Sequence, residues 1–311
     1  MKTTIHKYRE SLKGKKAISH GHEKGRHLFS FLCCTILGMI SLCTAHADIN
    51  LGAASPYTIL YGGSDLLSFS SSSAIGNIGV GKGASVSLNP TSSVEGRIDF
   101  AGSTNISGAN RVTGSINGNV SEVYSALTHI SLLSSEMSAL KGNDISIRLP
   151  GDQTIYAIDG WKTGDDYVFN VTDFKFEGGK LLTIDGGNHG GNVVFNFDSF
   201  KKVDFNGTII LKGGLFTDNI LWNFYGEDTQ LGNKGNADLK GIFLNPKGTI
   251  TFGGNAELCG RLFGGSGDDM KIIGNSHIEI CECPEPSTYV LLGFGMLAIV
   301  IVWRNRNQRD S

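Results

Sequence analysis

The sequence predicts a mainly β protein: a parallel β-helix (solenoid) with one flanking α-helix, and two terminal hydrophobic helices outside that domain. Three observations predict this architecture. Glycine is abundant, with 37 among the 236 residues from Asp48 to Cys283, whereas an average protein has about 7%. Short apolar or β-branched runs recur about every ten residues, which is typical of strands with frequent turns. A single stretch, residues 120–140, lacks glycine and proline and has helical periodicity.

The predicted strands share apolar or alternating side chains between glycine and asparagine corners. They are residues 144–149, 154–158, 167–171, 181–184, 193–197, 208–211, 241–244, 249–252 and 270–273. The sequence Gly-Thr-Ile-Ile-Leu-Lys-Gly-Gly at 207–214 recurs as Gly-Thr-Ile-Thr-Phe-Gly-Gly at 248–254. Such corners let a coil turn sharply, as stacked coils require. A β-sandwich is the alternative, but hairpin dipeptides such as Asn-Gly rarely flank long alternating runs here, which favours the solenoid.

Residues 120–140 predict a helix of about 20 residues. Its apolar residues recur at steps of three and four: Val123, Tyr124, Leu127, Ile130, Leu133, Met137 and Leu140. Ser121 and Glu122 suit its start, and Gly142 follows its end. The stripe could serve a coiled-coil partner, but stripes of this kind usually pack on a core. We therefore expect the helix to lie along the side of the solenoid.

The N-terminal segment has the order of a signal peptide. Eight basic residues precede an apolar region at 28–43, and Ala45-His46-Ala47 fits the small-x-small cleavage rule. We predict that residues 1–47 are a signal peptide, that signal peptidase cuts after Ala47, and that Asp48 starts the mature chain. An uncleaved N-terminal anchor is the alternative. Either reading sends the central domain, residues 48–283, across the inner membrane.

The C-terminal segment, residues 284–311, has the order of a sorting tail. Pro284-Glu285-Pro286 is followed by an apolar run at 289–303, and the basic residues Arg304, Arg306 and Arg309 come after it. The run predicts a transmembrane helix with cytoplasmic arginines. It has 15 residues, fewer than the ~20 of a relaxed spanning helix. A buried core helix is the alternative.

This order of triplet, apolar span and arginines resembles the PEP-CTERM sorting signal of Gram-negative bacteria. The matching residues are Pro284, Glu285, Pro286, Arg304 and Arg306. The resemblance implies recognition by a membrane protease of the exosortase type, which cuts near the Pro-Glu-Pro triplet. It also implies export of a surface or matrix protein in a species that makes extracellular polysaccharide.

Charge and cysteine content fit an exported domain. Residues 48–283 hold 16 Lys and Arg against 25 Asp and Glu, an acidic balance that argues against nucleic-acid binding. Outside the leader the cysteines are Cys259, Cys281 and Cys283. An oxidising exterior favours one disulfide, from Cys259 to Cys281 or to Cys283. A zinc site that adds His277 to these cysteines is the alternative.

Several short motifs run through the domain. They are Leu-Gly-Ala-Ala at 51–54 leading to Tyr-Thr-Ile-Leu at 57–60, Ser-Val-Glu-Gly-Arg at 93–97, and Ile-Phe-Leu-Asn-Pro-Lys-Gly-Thr-Ile-Thr at 242–251. With the helix and the punctuated strands between them, the chain resembles the choice-of-anchor A family of bacterial surface proteins. The resemblance implies a β-helix related to bacterial ice-binding-like and adhesive domains. The chain departs from the pattern in its C-terminal cysteines and acidic late loops.

Candidate catalytic residues are few. Gly264-Gly265-Ser266-Gly267 continues as Asp268 instead of completing a nucleophile elbow. Solenoid enzymes that cut acidic polysaccharides use clustered carboxylates, for which Asp165-Asp166 and Asp268-Asp269 are candidates, with Lys162 or Arg261 as charge partners. Adjacent residues on a strand point to opposite faces, so each pair would be split. Turn-forming aspartate is the simpler interpretation.

Calcium and ice binding have weaker signals. Residues 264–269 resemble one calcium-binding nonapeptide of the RTX type, but such sites are built from stacked copies. Ice binding needs matched threonines on one flat face. Thr208 and Thr249 begin similar segments, whereas Thr183 and Thr251 are out of register with them.

The sequence therefore predicts an exported, non-enzymatic protein with no cofactor and no metal. Its expected role is adhesive or structural, through binding of extracellular polysaccharide or a neighbouring surface in a biofilm matrix. The C-terminal helix is expected to hold it in the inner membrane for a time, before it reaches the cell surface or the exterior. The alternatives are a polysaccharide-degrading β-helix enzyme and an ice-binding protein.

Overall fold

The computed structural model describes residues 48–233 and 235–281. They form 24 strands, one long helix and four short 3-10 turns. The first strands are β1 (Tyr57–Tyr61), β2 (Leu66–Ser70), β3 (Ser73–Ile75), β4 (Asn77–Val80), β5 (Ser85–Leu88), β6 (Ser93–Glu95), β7 (Ile98–Phe100), β8 (Ile106–Ser107) and β9 (Ile116–Asn117). After helix α1 (Ser121–Ser138) come β10 (Asn143–Arg148), β11 (Gln153–Tyr156), β12 (Trp161–Thr163), β13 (Asp166–Lys175), β14 (Leu181–Asp185), β15 (Asn192–Phe197), β16 (Lys202–Asp204), β17 (Thr208–Lys212), β18 (Ile220–Phe224), β19 (Gln230–Gly232), β20 (Asp238–Asn245), β21 (Thr249–Phe252), β22 (Glu257–Gly264), β23 (Met270–Ile273) and β24 (His277–Glu279). The 3-10 turns are Gly52–Ala54, Ala109–Arg111, Ala157–Asp159 and Thr217–Asn219.

The strands stack in parallel on three faces of a solenoid. The helix face holds β10, β13, β15, β18, the ends of β20 and β22, β1, β4 and β7. The disulfide face holds β11, β14, β17, the starts of β20 and β22, β24, β3 and β6. The open face is a separate seven-stranded sheet, in the order β16, β19, β21, β23, β2, β5, β8.

Two glycines turn the long strands β20 and β22 around one corner of the solenoid. Gly241 and Gly260 lie in register and have φ values of +117° and +151°. A Cβ atom on Gly260 would overlap the carbonyl oxygen of Gly241. Only glycine suits this close approach of backbones, and the corner joins the helix face and the disulfide face into one 17-stranded sheet.

The first coil of described strands, β1–β3, lies in the middle of the stack. The coil β1–β3 packs between β4–β6 and the last coil, β22–β24, with pairs such as Ile59 to Leu262 and Ser73 to His277. The first nine strands wind outward to one end, and the chain resumes after α1 at the other end, with β10 and β11. We call the contact of β22–β24 with β1–β3 the seam.

An interior row of side chains fills the solenoid behind the helix face. On β13, β15, β18 and β20 it is aromatic: Phe169, Phe195, Trp222 and Phe243 stack with successive ring centroids 5.3, 4.4 and 5.9 Å apart. Beyond β20 the row continues with Leu262, Ile59, Ile78 and Ile98. All are buried. Aromatic pairs add about 0.5–1.5 kcal/mol beyond their buried area, so the two parts of the core differ in kind.

Helix α1 covers the helix face. Its buried residues Val123, Ala126, Ile130 and Leu133 pack on outward-pointing Leu60, Val168, Val194, Leu221, Ile242 and Phe263. Three asparagines in register also fix its C-terminal end: Asn223, Asn196 and Asn170 donate to the carbonyl oxygens of Ser134 (3.0 Å), Met137 (2.8 Å) and Gly142 (3.1 Å). The last four carbonyls of a helix have no partner within it. The ladder gives a donor to one of them, that of Met137, and adds donors to the carbonyls of Ser134 and of Gly142 in the turn beyond.

The predicted fold class is confirmed: a mainly parallel β-solenoid carries one helix on its side, and the β-sandwich alternative is wrong. The predicted strands 249–252 and 270–273 coincide with β21 and β23. One pairing departs from the parallel pattern, because β12 runs antiparallel to β13 at the end of the stack. No helix in the described residues is long and apolar enough to cross a membrane. The predicted signal peptide (1–47) and transmembrane helix (289–303) lie outside those residues.

The self-similar segments 207–214 and 248–254 do not stack on each other. Thr208 on β17 pairs with Asp238 on the disulfide face, whereas Thr249 on β21 pairs with Gln230 on the open face. The stacked repeat is instead the dipeptide Gly-Asn at 235–236, 254–255 and 274–275. Its asparagine side chains donate from one coil to the next over 3.1 and 3.0 Å, which is the ladder that forms this corner.

Candidate functional site

The open face is the candidate binding surface. Because its strands are in register, outward residues form rows along the stack. The middle row is Asp204, Gly232, Thr251, Lys271, Ser68, Ser87 and Ser107. The row changes character at the seam. We call β16, β19, β21 and β23 the groove half, and β2, β5 and β8 the serine half.

A groove of about 610 Å³ crosses the groove half. Gly232 keeps its floor low, since this position has no side chain between Asp204 and Thr251. A Cβ atom there would lie 3.2 Å from the Thr251 carbonyl oxygen and 3.3 Å from the Asp204 carboxylate. Thr249 and Thr251 line the floor beside it. Rigid strands therefore form the base of the groove.

The turn before β23 forms the first rim of the groove. The Asp269 carboxylate accepts a hydrogen bond from the Leu66 N–H over 3.0 Å, and the Tyr61 hydroxyl donates to the Asp268 carbonyl oxygen over 3.1 Å. Burial raises the pKa of Tyr61 to about 12, so the hydroxyl keeps its proton and remains a donor. Leu66 of the serine half and Tyr61 of β1 thus hold this rim.

The Gly-Asn corner forms the opposite rim. The buried Asn233 side chain is bonded in both directions to Gly253: it accepts from the Gly253 N–H over 2.8 Å and donates to the Gly253 carbonyl over 2.5 Å. Gly254 has a φ of +74°, and a Cβ atom there would collide with the backbone nitrogen of Gly235. This rim is therefore as rigid as the floor.

Charges of both signs line the groove. Lys202 lies 2.8 Å from Asp204, and Lys271 lies 3.6 Å from Asp269. The lysine side chains are about half exposed, so their ammonium groups can reach a ligand. Parallel strands lie about 4.8 Å apart, and four of them span about 14 Å. The groove offers alternating donors and acceptors over this length, which suits an extended, hydroxyl-rich chain.

The serine half has a different surface. Ser68, Ser87 and Ser107 lie in register, and the strands β2, β5 and β8 contain no charged residue. Its corner is held by hydroxyl contacts, with Ser71 Oγ 2.9 Å from Thr91 Oγ1. This half is a small uncharged array of hydroxyl groups.

The structure joins Cys259 to Cys281 by a disulfide, one of the two pairings that the sequence left open. The bond ties the residue after β24 to β22, next to the seam. It also removes both sulfurs from the zinc alternative, and His277 instead contacts Ser73 Oγ at 2.7 Å and Glu279 at 3.5 Å. Within residues 48–233 and 235–281, no three His, Cys, Asp or Glu side chains are grouped as a metal site. Cys283 lies outside the described residues.

The acidic pairs do not have the charge partners that the sequence suggested. Arg261 donates to the carbonyls of Ser55 and Tyr57, each over 2.7 Å, and not to the Asp268–Asp269 turn. Arg261 cannot be the charge partner considered for that pair, because it points out of the helix face whereas the turn rims the open face. Lys271 takes its place beside Asp269.

The pair Asp165-Asp166 lies in another part of the molecule, at the β12–β13 hairpin. The Asp166 carboxylate accepts from Asn192 Nδ2 over 2.9 Å, and the Lys162 ammonium lies 5.4 Å from the Tyr167 ring centre. The structure therefore does not bring the two acidic pairs together.

Sequence reasoning missed Lys202, Gly232 and Thr251 as members of one site. The only local signal is an outward polar residue at alternate positions of a strand, and that signal does not show which strands share a face. The predicted sorting and cleavage residues lie outside the described residues: Ala45, Ala47, Pro284, Glu285, Pro286, Arg304 and Arg306.

Comparison with protein families gives two matches. The model of the ice-binding-like adhesive domain matches residues 43–278, and that of the PEP-CTERM protein-sorting motif matches residues 282–307. The second match confirms the resemblance of the C-terminal tail to that motif, which marks export and sorting in Gram-negative bacteria and is a substrate signal for exosortase-type processing. No curated protein matches the chain.

Solved structures with a similar fold include three ice-binding proteins. That of the Antarctic ascomycete Antarctomyces psychrotrophicus is 18% identical, with a TM-score of 0.52 over 76% of this chain and 100% of that one. One from an Antarctic biological consortium is 17% identical, with a TM-score of 0.51 over 76% and 93%. LeIBP from an Arctic yeast is 17% identical, with a TM-score of 0.51 over 77% and 96%. At these identities the likeness concerns the fold alone.

Proposed function

Since the chain belongs to the family of ice-binding-like adhesive domains, we propose that it is an exported adhesive protein whose groove binds a polysaccharide outside the cell. The observation that carries this proposal is the groove of the open face, with a rigid floor, two braced rims and paired charges. A hydroxyl-rich chain can exchange hydrogen bonds with both members of each pair. A site that is already rigid loses little conformational entropy on binding.

The sorting motif supports the cellular setting. We propose that signal peptidase removes residues 1–47, that the C-terminal helix holds the chain in the inner membrane, and that an exosortase-type protease then releases it to the cell surface or matrix. Within the family, we propose the choice-of-anchor A type, on the motifs at 51–54, 93–97 and 242–251. Export beside extracellular polysaccharide would place the domain next to its ligand.

We further propose that the domain does not catalyse polysaccharide cleavage. Cleavage by paired carboxylates needs one acid that donates a proton and one base that accepts it. In the groove, the Asp204 and Asp269 carboxylates are each paired with a lysine ammonium group. This arrangement suits binding.

The test is direct binding of glycans to the mature chain (48–311), purified in detergent. A panel of neutral and acidic exopolysaccharides is titrated by calorimetry, and reducing and unsaturated ends are assayed in the same samples. Thr251→Trp places a large side chain on the groove floor and should weaken binding at least tenfold, about 1.4 kcal/mol. Ser87→Trp, on the same row of the serine half, is the matched control and should leave binding unchanged.

Two outcomes would reject the proposal. Equal loss of binding in Thr251→Trp and Ser87→Trp would place the ligand elsewhere. Release of new chain ends that disappears on Asp269→Asn would instead support the polysaccharide-degrading alternative.

Ice binding is the second candidate, and one observation favours it. Ser68, Ser87 and Ser107 form an uncharged row with the spacing of adjacent strands, about 4.8 Å, on a sheet of the fold that three ice-binding proteins share. Ice-crystal growth in the presence of the protein tests it. If ice is bound on this half, Ser87→Trp abolishes crystal shaping and Thr251→Trp does not. The two substitutions therefore separate the two candidate functions.

A further inference from the structure

The first residues after the predicted leader are docked on the domain. Ile49 and Leu51 are 7% and 5% exposed and belong to the cluster under α1. The Ile49 N–H donates to the Asp218 carbonyl oxygen over 3.3 Å. The Asn219 side chain donates to the Asp48 carboxylate over 3.4 Å. Asp48, which signal peptidase is predicted to make the first residue of the mature chain, therefore lies beside the Thr217–Asn219 turn.

A second cavity, of about 400 Å³, lies at this position. The charged side chains that line it are Asp48, Asp218 and Arg261. Arg261 is 9% exposed and pairs with Asp218 at 3.4 Å. Two carboxylates and one guanidinium leave one negative charge without a counterpart among the described side chains of this cavity. Such a site attracts a cation.

We propose that this cavity receives the α-ammonium group of Asp48, with Asp218 as its counterion. Cleavage of the Ala47–Asp48 peptide bond consumes one water and yields the Ala47 carboxylate and the Asp48 amine, which takes up a proton at neutral pH. Before cleavage the same nitrogen is an uncharged amide. It is the backbone nitrogen next to that of Ile49, which donates to the Asp218 backbone carbonyl oxygen. Asp48 and Asp218 also line the same cavity. Leader removal therefore adds one positive charge to a cavity that otherwise has two carboxylates and one guanidinium group.

The proposal makes processing and stability interdependent. An ion pair between the α-ammonium group and Asp218 exists only in the processed chain, so the processed domain is more stable than a domain with any residue still attached to Asp48. The pair is partly exposed, because Asp218 is 33% exposed, and partly exposed pairs are weak. The expected difference is small but measurable.

The test compares two exported forms of the full mature chain, each in three backgrounds, which makes six proteins. One leader leaves Asp48 first and the other leaves Gly-Ser before it, and intact mass identifies the N-terminus of each. The extension should lower Tm by about 2 °C. In an Asp218→Asn background the same extension should lower Tm by less than half as much. The matched control is Asp228→Asn, which changes an exposed aspartate that does not line this cavity. It should preserve the full effect of the extension.

An equal effect of the extension in all backgrounds, or no effect in any, would overturn the proposal. If Asp218→Asn does not fold, ¹³C-dimethylation of the α-amine in the unsubstituted chain replaces it. The α-amine should then titrate at higher pH than in the urea-unfolded chain, with Asp48, Asp218, Arg261 and His129 as the charged or titratable groups around this segment. An unshifted titration would equally reject the proposal.

Discussion

The groove half and the serine half share one sheet, one register and one strand spacing, yet they offer opposite surfaces. Asp204, Gly232, Thr251 and Lys271 make a charged depression, and Ser68, Ser87 and Ser107 continue the same row as an uncharged array. The backbone does not cause this difference. Outward side chains and the turns that flank them decide what a stacked sheet can bind, which is why one fold serves several functions.

The interior also changes along the stack, one coil before the seam. The row behind the helix face is aromatic from Phe169 to Phe243 and aliphatic from Leu262 onward. The core therefore changes between β20 and β22, and the surface changes at the seam.

The largest loss of stability is expected when the aromatic row of the core is interrupted. Trp222→Ala removes the ring that stacks between Phe195 and Phe243 and should lower the free energy of unfolding by about 3–5 kcal/mol. Ile78→Val, in the same row of the serine half, should cost about 0.5–1.5 kcal/mol. Urea unfolding measures both. Equal costs would show that the aromatic coils do not contribute more than the aliphatic ones.

The next largest effect is expected from removing the disulfide beside the seam. Replacing Cys259 and Cys281 together by alanine opens a covalent loop with a sequence separation of 22 residues and should destabilise the domain by about 3 kcal/mol. Dithiothreitol should lower Tm of the unsubstituted protein by a similar amount and leave the double variant unchanged. A double variant as stable as the parent would contradict this account of the seam.

A smaller effect is expected when one groove residue is replaced by its counterpart in the serine half. Lys271→Ser gives the groove half the residue that its neighbour in register, Ser68, already has. For an acidic glycan, affinity should fall about twofold to fivefold, since the loss of one exposed charge contact is worth at most about 1 kcal/mol. Added salt should reduce the difference between the two proteins. Stability should change by less than about 0.5 kcal/mol, and an affinity that is unchanged at low salt would remove Lys271 from the site.

The smallest effect concerns the rim and depends on pH. Burial raises the pKa of Tyr61 from 10.0 to about 12. A folded pKa above the unfolded value means that the neutral hydroxyl stabilises the fold fully below about pH 10, and that this contribution is lost as pH rises toward 12. Tyr61→Phe removes the hydrogen bond to Asp268, about 0.5–1.5 kcal/mol at neutral pH, and should flatten the alkaline loss.

Urea midpoints from pH 7 to pH 11 measure this difference. Tyr124→Phe is the control, because Tyr124 is 65% exposed and lies on helix α1, not at the rim. If Tyr61→Phe and Tyr124→Phe have the same pH profile, the Tyr61 hydroxyl does not contribute to the alkaline loss of stability.

Local signals predicted the elements but not their neighbours. Glycine corners and β-branched runs gave β21 and β23 to the residue, and the apolar stripe gave α1, because these signals lie within a few residues of each other. Stacking order could not be read in this way, since β1 pairs with β22 over some 200 residues of sequence. The similar segments that begin at Thr208 and Thr249 even suggested a false repeat.

The groove escaped prediction for the same reason. Gly232 is one glycine among many in the sequence, and only its position between Asp204 and Thr251 makes it the floor of a cavity. Arg261 could be considered as a partner of Asp268–Asp269 because the sequence does not show on which side of β22 it lies, which follows from the corner at Gly260. Faces and rims arise from pairing, which a single sequence does not encode locally.

The position of β24 has a mechanical consequence. The strand that precedes the sorting tail is held on both sides, by β22 and by β3, and Cys281 is bonded to Cys259 just beyond it. A force applied at Cys281 therefore acts on a coil inside the stack and not on a terminal coil. If the tail holds the domain in the membrane, as proposed above, a pull through it would not peel coils from one end of the solenoid.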